Sequence, residues 1–169
     1  TTGALNLTAT DGNINAANIG SLARLDAIAN GANTTIDLNL SGDAAIGVLQ
    51  AGGAINLTMV GGATRASGSP AQNIITGTLT ANTRSFGQNG DANAIQMQVD
   101  KLVIDTINGG IYVVNNGNRP LLIERATSAG SDGNISIANG GGANAGIQVK
   151  KITAGSSTVT LASTGSIED

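Results

Sequence analysis

Short stretches of alternating aliphatic and polar residues recur along the whole chain, and almost nowhere is a helical period sustained. The clearest pattern is a glycine followed by two aliphatics separated by one residue. It reads Gly3-Ala4-Leu5-Asn6-Leu7-Thr8 and again Gly53-Ala54-Ile55-Asn56-Leu57-Thr58. Looser copies are Ile36-Asp37-Leu38-Asn39, Ile95-Gln96-Met97, Ile111-Tyr112-Val113, Ile135-Ser136-Ile137 and Val159-Thr160-Leu161. Alternation with period two predicts strands, with the aliphatics inward and the residue between them outward. The outward set is Asn6, Asp37, Asn56, Gln96, Tyr112, Ser136 and Thr160, of which all but Tyr112 are plainly polar.

A second pattern places aliphatics three apart: Ile19-Gly20-Ser21-Leu22, Ile46-Gly47-Val48-Leu49, Val99-Asp100-Lys101-Leu102 and Val149-Lys150-Lys151-Ile152. This spacing predicts a bend between two short strands, with both aliphatics still aimed inward. Leu22, Leu25 and Ile28 also recur every three residues, so a helix over 20–29 is the competing expectation, flanked by Gly20-Ser21 and Asn30-Gly31. The strand is preferred, because the same motif repeats elsewhere without a helical period.

Self-similarity at this spacing is the mark of a solenoid. The first pattern begins at positions 5, 36, 55, 95, 111, 135 and 159. Seven copies predict an all-β parallel β-helix of about seven coils over 1–169. At about 4.8 Å per stacked strand, the rod is on the order of 35 Å long. Turn-forming pairs lie between the strands: Asp11-Gly12, Asn30-Gly31, Asn89-Gly90, Asn108-Gly109, Asn116-Gly117 and Asp132-Gly133. Some of the asparagines are expected to stack as amide ladders in successive coils. Residues 60–73, rich in Gly, Ala and Ser around Pro70, and residues 83–94 show no apolar period. Both are expected to be loops bulging from the rod, and insertions of this kind often gather on one binding face.

Composition narrows the core. Of 169 residues, 40% are hydrophobic but only 1% are aromatic, with Tyr112 and Phe86 the sole rings. The core must therefore be a narrow aliphatic stack. Gly, Asn and Thr number 25, 19 and 18, and charged residues are only 11%, well below the roughly 25% of ordinary domains. There is no Cys and no His. Thiolate zinc sites, Cys nucleophiles and the commonest general base are excluded. The net charge is −3, and Lys150-Lys151 is the only adjacent basic pair. No nucleic-acid partner is expected from so few basic residues, nor membrane insertion from such short apolar runs. No signal peptide opens the chain, which suits a piece of a longer secreted protein.

Gly3-Ala4-Leu5-Asn6-Leu7, Gly53-Ala54-Ile55-Asn56-Leu57, Asp132-Gly133-Asn134-Ile135-Ser136-Ile137 and Ser157-Thr158-Val159-Thr160-Leu161-Ala162 resemble the repeats of filamentous-haemagglutinin-like and autotransporter-passenger proteins. The resemblance extends loosely over the whole chain and is one of composition and period, not of a catalytic fingerprint. It implies a right-handed parallel β-helix exported to the bacterial cell surface, serving as the shaft of an adhesin. The Asn-Pro-Asn-Gly secretion signature of two-partner systems is absent, so the resemblance implies shaft, not secretion domain.

Parallel β-helices also carry polysaccharide lyases and hydrolases. Such chemistry needs paired carboxylates or a calcium-bound acid cluster with a basic residue on one face. The candidates are Asp100, Asp105 and Glu124, with Lys101 and Arg125 nearby. Solvated charges at strand ends explain them more simply, and a sugar-cleaving cleft would want aromatic platforms that this chain lacks. Gly140-Gly141-Gly142-Ala143-Asn144-Ala145 lacks the Asp of a calcium β-roll, and Asp11-Gly12-Asn13 lacks the closing Glu of an EF-hand loop. Gly61-Gly62 and Gly109-Gly110 lack the Lys and helix of a phosphate loop. The alternating threonines of Thr76-Gly77-Thr78-Leu79-Thr80 occur once, too few for an ice-binding face.

The expectation is thus a structural module with no catalytic, cofactor or metal residue: the spacer of an extracellular adhesin-like protein. Its partners would be neighbouring coils of a longer chain or further copies, with a host-surface or glycan ligand if any. Gly3-Ala4-Leu5 and Gly165-Ser166-Ile167 look like interior repeat without a cap, so the native chain is expected to continue or its ends to pair. The alternatives are a self-assembling subunit of an extracellular filament, sheath or surface layer, and, further off, a polysaccharide-active enzyme.

Overall fold

Alternation of this kind leaves each strand with one apolar side, which is buried only if successive strands stack. The computed structural model describes residues 3–131 and 133–169, and in them the chain winds as a parallel β-solenoid of about seven coils without any helix. The first three coils are β1 (Ala4–Ala9) with β2 (Ile14–Ile19), β3 (Leu22–Ala29) with β4 (Thr35–Leu40), and β5 (Ala44–Ala51) with β6 (Ala54–Met59). Next come β7 (Ala63–Arg65) with β8 (Ile74–Thr83), β9 (Ile95–Thr106) alone, and β10 (Ile111–Asn115) with β11 (Leu121–Ser128). Then follow β12 (Ile135–Asn139) with β13 (Ile147–Val149) and β14 (Ile152–Thr153), and a partial turn of β15 (Val159–Ser163) and β16 (Ile167–Glu168). Within 20–29 the segment Leu22–Ala29 is strand and none of it is helix: Leu25, Ala27 and Ala29 are buried and alternate with half-buried Asp26 and Ile28.

Each coil has two faces. On the first, Ala44 stands beside Ala63, Ala63 beside Phe86, Phe86 beside Ile111, Ile111 beside Ile135, and Ile135 beside Val159. Coil length varies with position: Ala44 to Ala63 takes 19 residues and Phe86 to Ile111 takes 25, Met97 to Asn115 takes 18, and Leu121 to Ile147 takes 26. On the second face Ile14, Ile36, Ile55, Leu79, Leu102, Ile123 and Val149 form one inward column, and Ala16, Leu38, Leu57, Ala81, Ile104, Ala126 and Ile152 the next. These columns are the core, aliphatic almost throughout.

The seven copies of the first pattern prove not to mark one face of the rod. Ile36 and Ile55 belong to the second face, while Leu5, Ile95, Ile111, Ile135 and Val159 belong to the first. Ile95 moreover stands level with Val113, one step along from Ile111. Both faces carry the same two-residue period, so the pattern alone cannot separate them.

The spacing of three also has more than one origin. Ile19–Leu22 and Val149–Ile152 span gaps between strands, as expected, but Ile46–Leu49 and Val99–Leu102 lie inside the continuous strands β5 and β9. At Ile46–Leu49 the cause is a register shift: Leu25 faces Ile46, yet Asp26 faces Val48, leaving Gly47 unpaired. The Asp26 carboxylate accepts a hydrogen bond from the Val48 amide at 2.8 Å, satisfying the displaced backbone. A second shift, in β2, carries Asn18 at φ 59°, the one positive-φ residue other than glycine among those described.

Both expected loops shrink. Within 60–73, Gly61, Gly62 and Ala63 are buried and β7 is part of the wall, so only 66–73 bulges. Within 83–94, Thr83 and Phe86 are fully buried and Phe86 bridges Ala63 and Ile111, so the bulge is 87–94. Segments of one to three residues are too short to show a period. The ring of Phe86 fills a level of the stack whose neighbour, Ala63, is small.

Among the turn pairs, Gly12, Gly31 and Gly90 take positive φ, while Gly109 and Gly117 do not. Asp132 of the pair Asp132-Gly133 lies outside the described residues. Gly87 requires glycine twice over: its φ is +77°, and a Cβ there would overlap the Tyr112 carbonyl of the next coil.

Candidate functional site

Two inward columns change character midway along the rod. At the end of the second face, Ile19, Leu40 and Met59 give way to Thr83, Thr106 and Ser128. Two of the hydroxyls cap one corner together: Thr106 Oγ1 donates to the Gly109 carbonyl at 2.6 Å, and Ser128 Oγ, one coil later, to the same oxygen at 2.8 Å. At the end of the first face, Leu49, Ile74 and Met97 give way to Asn115, Asn139 and Ser163. Asn115 Nδ2 donates to Asn139 Oδ1 at 3.0 Å, its Oδ1 accepts from the Val99 amide at 2.8 Å, and Asn139 Nδ2 donates to the Gly146 carbonyl at 2.7 Å. The expected amide ladder exists, but inside the rod. Asn73, also fully buried, serves the coil above by donating to the Ile46 and Gly47 carbonyls.

Outward, the charged candidates cluster on the second face of the middle and later coils. Glu124 stands between Lys101 of the preceding coil and Lys150 of the following one, at 3.4 and 3.0 Å. Arg125 grips Asp105 through Nε and Nη2, and Arg119 reaches Asp100 at 3.2 Å. The hydrogen bond from Lys150, with both lysine charges adding to it, holds the Glu124 carboxyl below its usual range, against a partial desolvation that pushes the other way. The Asp105 pairing likewise raises the Arg125 guanidinium. Proton donation by a glycosidase-type acid calls for a raised carboxyl, the opposite of Glu124. These side chains form ion pairs that tie one coil to the next.

A different site lies on the first face, where neither stacking register nor loop packing was readable in advance. Loops 66–73 and 87–94 rise from adjacent coils, and Arg65 links them, donating to the Ala92 carbonyl at 3.1 Å and to the Pro70 carbonyl at 3.5 Å. Below the loops runs a groove of about 620 Å³, walled by Ala71, Gln72, Asp91 and Ala92. Its floor is the outward column Gln96, Val114 and Ala138, flanked by Asn116. Asn116 Nδ2 donates to Gln96 Oε1 at 3.1 Å, and Gln96 Nε2 donates to the Asp91 carbonyl at 3.0 Å. The floor amides are thereby fixed in orientation. Gln96 appears in the sequence as an outward strand residue and Asn116 as half of a turn pair, but nothing there marks Val114 or Ala138. Only the register brings the floor together.

The chain matches no known family model, no curated protein and no solved structure.

Proposed function

We propose that this chain is a structural shaft, a stiff spacer segment of an extracellular bacterial surface protein of the adhesin type. One observation carries the reading: every pairing between the described strands is parallel and the stack runs unbroken from β1 to β15, so each coil is braced by the next along the rod. Inter-coil ion pairs and inward polar ladders add cross-links perpendicular to the strands. Such a design resists bending and adds length in fixed steps. The likeness of its repeats to filamentous-haemagglutinin-like proteins supports the surface setting.

Excising one coil tests the reading. Residues 44–62 span one repeat, because Ala44 and Ala63 occupy equivalent places. In the parent protein, seen by electron microscopy, their removal should leave a folded rod shorter by about 4.8 Å, and antibodies to the segment should label intact cells. Intracellular location, or loss of an enzymatic activity in place of a change in length, would overturn it. In the competing reading, a self-assembling subunit, the isolated 169 residues form concentration-dependent filaments; a monodisperse monomer counts against that.

A further inference from the structure

We propose that the groove beneath loops 66–73 and 87–94 binds an uncharged oligosaccharide. The inference is independent of the shaft reading, since the groove would act in the same way on any scaffold.

The size is suitable. About 620 Å³ falls within the range of roughly 300–1,000 Å³ usual for small-molecule sites, and its open form admits a chain of rings, not only a single one. The lining matches sugar chemistry on two counts. A side-chain amide offers both donors and acceptors, as vicinal hydroxyls require. Gln72, Gln96 and Asn116 present such amides along one groove. The bonds between Asn116, Gln96 and the Asp91 carbonyl still leave one Gln96 N–H and the Asn116 carbonyl oxygen to offer. Between the amides, Val114, Ala138, Ala71 and Ala92 supply apolar surface for the C–H faces of the rings.

Charge selects against polyanions. The groove holds one cation, Arg65, and one anion, Asp91. Arg65 is already engaged with two loop carbonyls, so a sulfate or uronate would meet no unoccupied basic pair. An extended peptide is disfavoured for a separate reason. Peptides commonly add to a sheet edge, but β9, β10 and β12 each have strands paired on both sides. The floor therefore offers side chains alone.

The site lacks an aromatic platform, so affinity should be in the millimolar range, and coherent binding by a surface would rest on many copies. The test is titration of the ¹⁵N-labelled 169-residue chain with neutral tetrasaccharides of glucose, galactose, mannose and N-acetylglucosamine. A heparin tetrasaccharide and a Ser/Gln-rich peptide are the comparison probes. At least one neutral probe should shift the side-chain amides of Gln72, Gln96 and Asn116 and the backbone of Val114 and Ala138 together. Gln96→Ala should weaken that binding about threefold to tenfold, the worth of a net hydrogen bond or slightly more. Gln72→Ala, in a loop outside the core, gives the same readout should Gln96→Ala misfold, and Gln148→Ala on the other face should change nothing. The proposal fails if no neutral probe shifts the groove, if heparin or the peptide shifts it more strongly, or if the groove variants bind as the parent does.

Discussion

Asn115→Ala removes a fully buried side chain whose amide is engaged on both of its atoms. Its Oδ1 accepts from the Val99 amide, and its Nδ2 donates to the Val99 carbonyl at 3.2 Å and to Asn139 Oδ1 at 3.0 Å. A net neutral hydrogen bond is worth about 0.5–1.5 kcal/mol, while a buried donor left unpaired costs about 1–3 kcal/mol. The Val99 N–H becomes such a donor, and two further bonds are lost with it, so the variant should lose about 2–5 kcal/mol. Asn116→Ala, one residue on, breaks a single amide–amide bond on the half-buried outer surface and should cost less than about 1 kcal/mol. Urea unfolding followed by circular dichroism measures both. Because stacked repeats can unfold in parts, hydrogen exchange supplies the local check: protection of the Val99 amide should fall sharply in Asn115→Ala and stay near parental in Asn116→Ala. If the two variants are equally stable, or Val99 keeps its protection, the inward amide ladder does not support the rod in the way described.

Four further outcomes are expected. Gly87→Ala should lower the thermal midpoint more than Gly12→Ala, because both force an L residue to positive φ but only position 87 also meets backbone. Leu79→Ala, fully buried in the central coil, should cost about 2–5 kcal/mol, whereas Leu5→Ala in the half-buried first coil should cost clearly less in the same urea titration. The depressed Glu124 carboxyl contributes stability that is fully present above the unfolded Glu value near 4.5 and is lost as pH falls through the lower folded value. Glu124→Gln should therefore flatten the acid limb of the unfolding midpoint against pH, and added salt should narrow the difference. Arg65→Ala should raise hydrogen exchange in 66–73 and 87–94 while leaving the core amides of β9 and β10 protected.

The solenoid was legible because period-two alternation is a property of single strands, and Ile55-Asn56-Leu57 or Ile135-Ser136-Ile137 display it without reference to any neighbour. The stacking register was not, since it depends on how many residues each corner consumes. Ala44 to Ala63 takes 19 residues and Phe86 to Ile111 takes 25, and no local signal counts them. Phe86 and β7 were hidden for a related reason, being too short to alternate. Of the charged candidates, Lys101 and Glu124 do meet, and Lys150, not among those candidates, joins them; this pairing runs between coils and is invisible until the coils are aligned. The groove is the extreme case: Gln96, Val114 and Ala138 are distant in sequence and become neighbours only through stacking.

A rod of near-identical layers faces a hazard that a compact domain does not: it can close one layer out of step and still bury oil against oil. In the first coils, where Ile36 follows Ile14 and Ile55 follows Ile36, such a slip would pass almost unnoticed energetically. Past Met97 it would not, because Asn115 moved up one layer would take an apolar level of the column and leave behind the Val99 and Asn139 partners that satisfy its amide. Thr83, Thr106 and Ser128 impose the same constraint on the opposite corner. The buried amides and hydroxyls thus give individual layers an address, and folding that starts in the later coils would hand the correct phase to the anonymous earlier ones.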